Sequence, residues 1–353
     1  ADENLNLFGQ YFGNANPVIV SQYKIKELEV WKTTSAQLDI KEQRRANAFI
    51  DLTVRKAAGD PEPYDDSFRD KDITEISGRS VINDRFVPLV EGTDYDYNYA
   101  AGFISFKAPI NKDDAIAIAY RAEGDVGEVD DYYGDFLEEV VNDTSKNLVL
   151  KLVKPKQLQP GGTFTDAWKL LLKNIYPIGG RNINKEGFIF DMNLQIPGQE
   201  PVNNIEGENL LEAFGLDLTD ESGTGGPDGA FDWDPGRTIF PETGEIIFPM
   251  LQPFGKDFPE AFDPELTYQA VYDTSVTFAK QDKTKDKFIL VGEYSADASS
   301  VYSIGFNAVE NSVKVILDGR TLENGVDYSV DYNIGQVIIR NKDALVPGCL
   351  LYT

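Results

Sequence analysis

The sequence contains no histidine and only one cysteine, Cys349, among its 353 residues. The absence of histidine removes the commonest general base of enzymes, zinc sites with His ligands and any Ser-His-Asp arrangement. A single cysteine excludes an intrachain disulfide, and a lone cysteine is more often a packed apolar residue than a nucleophile. Because no run of about 18 apolar residues occurs, no transmembrane helix is predicted.

Positive charge is also scarce, with 33 Lys and Arg against 59 Asp and Glu, for a net charge of −26. Such a surface repels phosphate backbones and anionic lipid, so nucleic acid is excluded as a partner. The apolar fraction of 41% is that of a globular protein, and 21 Phe and 17 Tyr favour strands over helices. A chain of this length can hold two or three domains.

Sequence motifs for catalysis are missing as well. There is no Walker A motif, no G-x-G-x-x-G after a strand, and neither G-x-S-x-G nor H-E-x-x-H. Among so many acidic residues, any pair of carboxylates is uninformative about a glycosidase-type hydrolase. We therefore predict no catalytic residue and no enzymatic activity.

Alternating apolar and polar residues predict a mainly β protein with a few short helices. We expect sandwich-like antiparallel sheet domains that contain duplicated β-hairpin units. The predicted strands cover residues 23–31, 48–52, 93–97, 103–106, 115–120, 148–153, 187–196, 266–278 and 287–294.

Turn formers and charge divide the chain into three predicted regions. The first, 1–135, is a β domain with an exposed loop at 59–72 and a repeat hairpin within 78–122. The second, 136–265, is an α+β region with a short helix at 166–175 that Thr165 caps, and an acidic Gly/Pro-rich loop at 197–262. The third, 266–353, is a β region that carries the second repeat hairpin.

One pattern occurs twice, with every matched residue offset by 233 positions. The copies are Leu89, Gly92, Asp94, Tyr95, Tyr99, Gly102 and Leu322, Gly325, Asp327, Tyr328, Tyr332, Gly335. This spacing is typical of a hairpin, in which Asp and Tyr lie on opposite strand faces and Gly102 and Gly335 take positive φ. At the same offset Tyr120 corresponds to Thr353, so we expect the chain to be a fragment of a larger protein.

The loop at 217–234 is the one candidate metal site. Its carboxylates would offer Ca²⁺ the oxygen ligands that it prefers, although the EF-hand register is absent; they are Asp217, Asp220, Asp228, Asp232 and Asp234. The alternative is a turn cluster, with Asp228 initiating the turn and Gly229 in the left-handed region. Trp31, Trp168 and Trp233 are candidates for a sugar-binding platform, although such residues are usually core. A calcium-dependent carbohydrate-binding or adhesin module is therefore the alternative function.

Four stretches, taken in order, resemble the SprA/Sov family of Bacteroidetes. They are residues 174–187, residues 225–232 followed by 243–249, residues 271–275 and residues 325–335. That family forms the outer-membrane translocon of the type 9 secretion system, which is also needed for gliding motility. The resemblance implies a non-enzymatic, extramembrane portion of a very large β-barrel channel, with no catalytic residue and no cofactor. It further implies that the rest of the barrel, outer-membrane partner proteins and secreted client proteins are its partners.

Overall fold

The computed structural model describes residues 8–9, 11–12, 24–34, 43–71, 73, 75–76, 79–107, 110–124, 127–140, 145–180, 182–295, 301–304, 312–317, 319–332, 336–339, 341 and 351–352. The strands are β1 Ile25–Thr33, β2 Arg44–Phe49, β3 Arg55–Ala57, β4 Glu75–Ile76, β5 Arg79–Pro88, β6 Tyr95–Asn98, β7 Phe103–Phe106, β8 Ile116–Ala122, β9 Asp130–Tyr133, β10 Leu148–Lys154, β11 Ile175–Pro177, β12 Ile189–Leu194, β13 Asn204–Ile205, β14 Glu208–Asn209, β15 Ile239–Phe240, β16 Glu245–Ile247, β17 Phe288–Glu293, β18 Val301–Ser303, β19 Ile316–Leu317, β20 Arg320–Thr321, β21 Tyr328–Asp331, β22 Gln336–Ile339 and β23 Leu351–Tyr352.

Helices are few and short, which confirms the predicted mainly β fold class. The α-helices are Leu137–Val140, Thr165–Leu170, Leu210–Ala213, Ala270–Asp273 and Val276–Ala279, and the 3₁₀ turns are Asp66–Arg69, Gly162–Phe164, Pro264–Leu266 and Lys283–Lys285. Among the residues described, no helix has the length and apolar character that a membrane crossing requires.

The largest sheet closes on itself. Its strands follow the order β1, β5, β2, β10 and β8, and β8 pairs back with β1, which makes a five-strand barrel-like ring. Four of the pairings are antiparallel, whereas β2 and β10 are parallel. The interior holds Trp31 and Phe86, and small side chains at Ala117 and Ala119 on β8 leave room for these large rings.

Hairpin one, formed by β6 and β7, covers the outside of this ring. Tyr95 on β6 packs with Val30 of β1 and Ile116 of β8, and all three are buried. Both faces of β8 are therefore buried, which explains why its sequence is apolar at every position from Ala115 to Tyr120.

A second core forms around small sheets and aromatic rings. Strand β16 pairs with β11 and β15, and β12 pairs with β17. Phe214 lies at its centre, with ring centroids 5.4–6.5 Å from those of five other phenylalanines: Phe248, Phe254, Phe258, Phe262 and Phe288. A third, smaller core belongs to hairpin two, formed by β21 and β22, together with β18 and β19.

Two predicted elements are wrong in type or extent. The stretch 266–278 is not a strand, because it contains the helices Ala270–Asp273 and Val276–Ala279, the second capped by Ser275 Oγ accepting from Phe278 N at 3.3 Å. The helix predicted at 166–175 begins at Thr165 and ends at Leu170, and Ile175 already lies in β11. Thr165 is its first residue and not its cap, since its hydroxyl donates to Gly162 O.

The predicted region boundaries also cut through sheets. Strand β10 lies beyond residue 135 but pairs with β2 and β8 of the barrel. Strand β17 lies beyond residue 265 but pairs with β12 along six residue pairs. In both cases the partner strand is far away in the sequence, so local turn signals do not reveal the pairing.

Candidate functional site

The two repeat copies form the same turn before their hairpins. Gly92 N donates to Tyr95 O at 2.8 Å, and Gly325 N donates to Tyr328 O at 2.7 Å. Each aspartate carboxylate accepts from a backbone N–H four residues earlier, Asp94 from Val90 at 2.7 Å and Asp327 from Glu323 at 2.9 Å. This bond from Glu323 holds the pKa of Asp327 below its usual value.

The aspartates therefore cap turns, and the predicted placement of Asp and Tyr on opposite strand faces is wrong. Asp94 precedes β6, and both Asp94 and Tyr95 are buried. Tyr99 Oη donates to Glu91 Oε2 at 3.0 Å, across the turn and not to the partner strand. Gly102 has φ +72° as predicted, Tyr332 is half-buried, and Gly335 and Cys349 lie outside the described residues.

The turn glycines allow a matched test. Gly92 and Gly325 have φ values of +80° and +87°, and a Cβ on either would meet no atom within 4 Å. Alanine at each position should therefore cost about 1–2 kcal/mol of stability from backbone strain alone. Urea denaturation of Gly92→Ala and Gly325→Ala measures this, with Gly226→Ala as the open control without positive φ. Unequal costs for the two copies would contradict their equivalence.

The acidic loop is held together by its own hydrogen bonds. Asp217 is fully buried and accepts from Asp228 N at 3.1 Å and Gly229 N at 2.7 Å. Asp232 accepts from Leu218 N at 2.7 Å and from the Thr219 hydroxyl at 2.8 Å. Burial raises the pKa of Asp217, and the two backbone N–H groups oppose that shift.

The other three carboxylates each have their own partners. Asp220 accepts from the Ser222 hydroxyl and from Gly225 N, and Asp234 pairs with Arg237 at 3.0 Å. Across the described part of the chain, which includes all of 217–234, no three acidic side chains form a group that could hold a metal ion. The loop has instead the geometry of the alternative turn cluster, with Asp228 Oδ1 accepting from Ala230 N and Gly229 at φ +87°. The predicted calcium site is corrected accordingly.

Calcium should consequently have little effect on thermal stability. Adding about 5 mM Ca²⁺ to chelator-treated protein should change the Tm by less than about 1 °C, because no group prefers the bound ion in the folded state. Differential scanning fluorimetry measures this. An increase of several degrees in the Tm, abolished by Asp228→Ala, would show that the loop does bind calcium.

The Asp217 carboxylate should be specifically required in this loop. Asparagine offers one acceptor where two are needed, and its amide would face a backbone N–H, so Asp217→Asn should cost about 1–3 kcal/mol. The matched control is Asp263→Asn at an exposed cap, where a single acceptor serves Glu265 N at 2.9 Å. Asparagine caps as well as aspartate does, so the control should change stability little. Equal losses in urea denaturation would contradict this role for Asp217.

The three tryptophans do not form a sugar platform. Trp31 is fully buried inside the barrel. Trp168 Nε1 donates to Tyr272 O at 2.8 Å, and Trp233 packs edge-on against Phe188 with centroids 4.8 Å apart. Trp31 and Trp233 belong to different cores, and Trp168 is held by its hydrogen bond to Tyr272, so the three rings do not share one surface.

A surface cleft of 380 Å³ lies on the outer face of hairpin one. Its lining comes from β6, β7, the turn between them and one residue of β15, namely Asp96, Tyr97, Asn98, Tyr99, Ala100, Phe103, Ser105 and Phe240. Tyr99 is 37% exposed, and its ring meets that of Tyr97 edge-on at 4.4 Å. The cleft combines aromatic surface with the Asp96 carboxylate, which pairs with Lys107 at 3.2 Å and keeps 57% of its side chain exposed.

The sequence did not reveal a buried charge network at one end of the barrel. Asp135 is 1% exposed and receives both Nη atoms of Arg69, at 2.7 and 2.9 Å, and the backbone N of Val149 at 2.8 Å. Arg55 Nη2 lies 3.9 Å from Asp135 Oδ1 and donates a hydrogen bond to Gly134 O. The predicted exposed loop at 59–72 is thus anchored, since it contributes the buried Arg69 and Tyr64.

No family model matches the chain, and no curated protein matches it either.

Proposed function

We propose that this chain is a non-enzymatic, extramembrane portion of an outer-membrane protein-conducting channel of type 9 secretion. The observation that carries the proposal is the ordered set of motifs that resembles the SprA/Sov family. Its partners are then the remainder of the translocon barrel, outer-membrane secretion-system proteins and the secreted clients, and its loss affects gliding motility as well.

The positions of these motifs support the proposal. Residues 174–187 and 243–249 supply β11 and β16, which pair antiparallel with Ile175 opposite Ile247. Asn174 Nδ2 donates to Phe248 O at 2.6 Å, and both residues are fully buried. Tyr272, from the motif at 271–275, is buried and accepts from Phe254 N at 2.9 Å. Motifs that build a core fit a scaffold, in which the shape of the module matters more than any reactive group.

The charge network supports a scaffold role too. Asp135 and Arg69 satisfy one another and the backbone around them, which is what a structural ion pair does. A mainly β module with a charge of −26 also suits a neighbour of a β-barrel that stays outside the lipid.

Fractionation of the source cells tests the proposal first. An antibody against this chain should detect, in the outer membrane, a polypeptide several times larger than 39.3 kDa. A soluble or secreted band near that mass would overturn the proposal.

Deletion provides the functional test. Removing residues 1–353 from the parent gene should abolish export of secreted proteins and gliding. The control is Asp66→Ala, which only breaks the exposed Lys146–Asp66 pair and should leave export normal. Normal export after the deletion would contradict the proposal.

A further inference from the structure

The two repeat copies differ in whether a third strand pairs with the outer edge of the hairpin. In hairpin two, the outer edge of β22 is covered by β18, with Val301 opposite Ile338, Tyr302 opposite Val337 and Ser303 opposite Gln336. The equivalent positions in hairpin one, 233 residues earlier, are Ser105, Ile104 and Phe103 of β7. No other strand in the described ranges pairs with β7 on this edge.

Backbone geometry identifies the groups that face the open edge. Lys107 N donates to Asp94 O across hairpin one at 3.0 Å, and Tyr95 lies opposite Phe106. Because inter-strand bonds alternate from residue to residue, Ser105 directs its N–H and C=O toward β6, whereas Ile104 and Phe106 direct theirs outward. Two outward-facing residues on an edge strand are a template for strand addition.

We propose that the open edge of β7 binds an extended segment of a different polypeptide, and not of a second copy of this chain, by antiparallel strand addition. The occupant carries an apolar or aromatic residue at its centre, because the equivalent Tyr302 in hairpin two is half-buried against the third core. When the occupant binds hairpin one, its central side chain lies on the inner face of the hairpin beside Ile104 and Phe106. This face is already apolar.

The charge around the edge specifies the rest of the occupant. Residues opposite Ser105 and Phe103 direct their side chains to the outer face, beside the 380 Å³ cleft that Asp96 lines. Asp96 is exposed at 57% of its side chain and pairs with Lys107 at 3.2 Å, and Glu91 adds a second carboxylate, which accepts from Tyr99. A segment with basic residues flanking its apolar centre is therefore favoured over an acidic one. This inference does not require the function proposed above.

The test uses amide hydrogen exchange, by NMR, of the whole chain with synthetic peptides. The probe carries the sequence of residues 300–304, Ser-Val-Tyr-Ser-Ile, with a lysine at each end; its controls carry glutamate at each end, or proline in place of the tyrosine. The Lys-flanked peptide should slow exchange at Ile104 and Phe106 at least about tenfold, as a new ladder bond does. Val337 and Ile339, whose edge β18 already covers, should not change.

A charge reversal then separates strand addition from nonspecific attraction. Asp96→Lys should raise the Kd of the Lys-flanked peptide at least about fivefold and lower that of the Glu-flanked one. Equal binding of the proline control would overturn the proposal, as would slow exchange at Ile104 and Phe106 in the free chain. Protection that appears without peptide as the protein is concentrated would assign the edge to a second copy, and would also overturn it.

Discussion

Replacing Asp135 with alanine is expected to lower the free energy of unfolding by about 3–5 kcal/mol, because it leaves the buried guanidinium group of Arg69 without its carboxylate. The backbone N–H of Val149 in β10 loses its acceptor in the same step. Urea denaturation measures the loss. Trp31 fluorescence reports the barrel specifically when Trp168→Phe and Trp233→Phe are also present, since Trp31 alone lies inside it.

The matched control is the exposed pair between Lys146 and Asp66, whose atoms are 2.6 Å apart and whose side chains are 47% and 77% exposed. Asp66→Ala should cost less than about 1 kcal/mol, because solvent screens such pairs. Arg69→Met should cost nearly as much as Asp135→Ala, and the double variant less than their sum, since the two single changes leave complementary charges unpaired. Additive losses would show that the pair is not a coupled unit.

The strands were predictable wherever one face meets a core. The alternation of Ile189–Leu194 marks β12, with Phe190, Met192 and Leu194 all buried, and the run at Leu148–Lys154 marks β10. The duplicated spacing predicted the hairpins because glycines with positive φ have few substitutes.

Closure of the barrel was not predictable from one sequence. The parallel contact of β2 with β10 joins Ala46 to Leu148, and no local pattern records a pairing over that distance. The Arg69–Asp135 pair spans 66 residues and lies in segments whose composition reads as exposed loop. Residues 266–278 read as a strand because Tyr, Val and Phe favour strands, whereas the structure forms two short helices there, with Tyr272 buried beside Gly255.

The predicted calcium site is wrong because its five carboxylates do not converge on one point. Only Asp217 and Asp232 turn inward, and each accepts hydrogen bonds from the loop itself. A carboxylate oxygen accepts a backbone N–H as readily as it binds Ca²⁺, and sequence alone does not distinguish these two uses. The structure distinguishes them because each inward oxygen of Asp217 and Asp232 already has an N–H or O–H partner.

Removing the ring at the centre of the second core should have an effect as large as that of Asp135→Ala. Phe214 is fully buried, and five phenylalanine rings surround it with centroids within 6.5 Å. Phe214→Ala should cost about 3–5 kcal/mol, from lost transfer free energy and from the cavity that rigid aromatic neighbours fill poorly. Hydrogen exchange of β16 under native conditions reports this core.

The control is the same substitution on the surface. Phe278 is 54% exposed in the helix Val276–Ala279, so Phe278→Ala should change exchange in β16 little. In Phe214→Ala, the amide hydrogen exchange rates in β10 of the barrel should equal those of the unsubstituted protein if the two cores open separately. Acceleration in β10 as large as that in β16 would mean that the barrel and the second core unfold as one unit. The second core would then stabilise the whole module and not only the sheets around it.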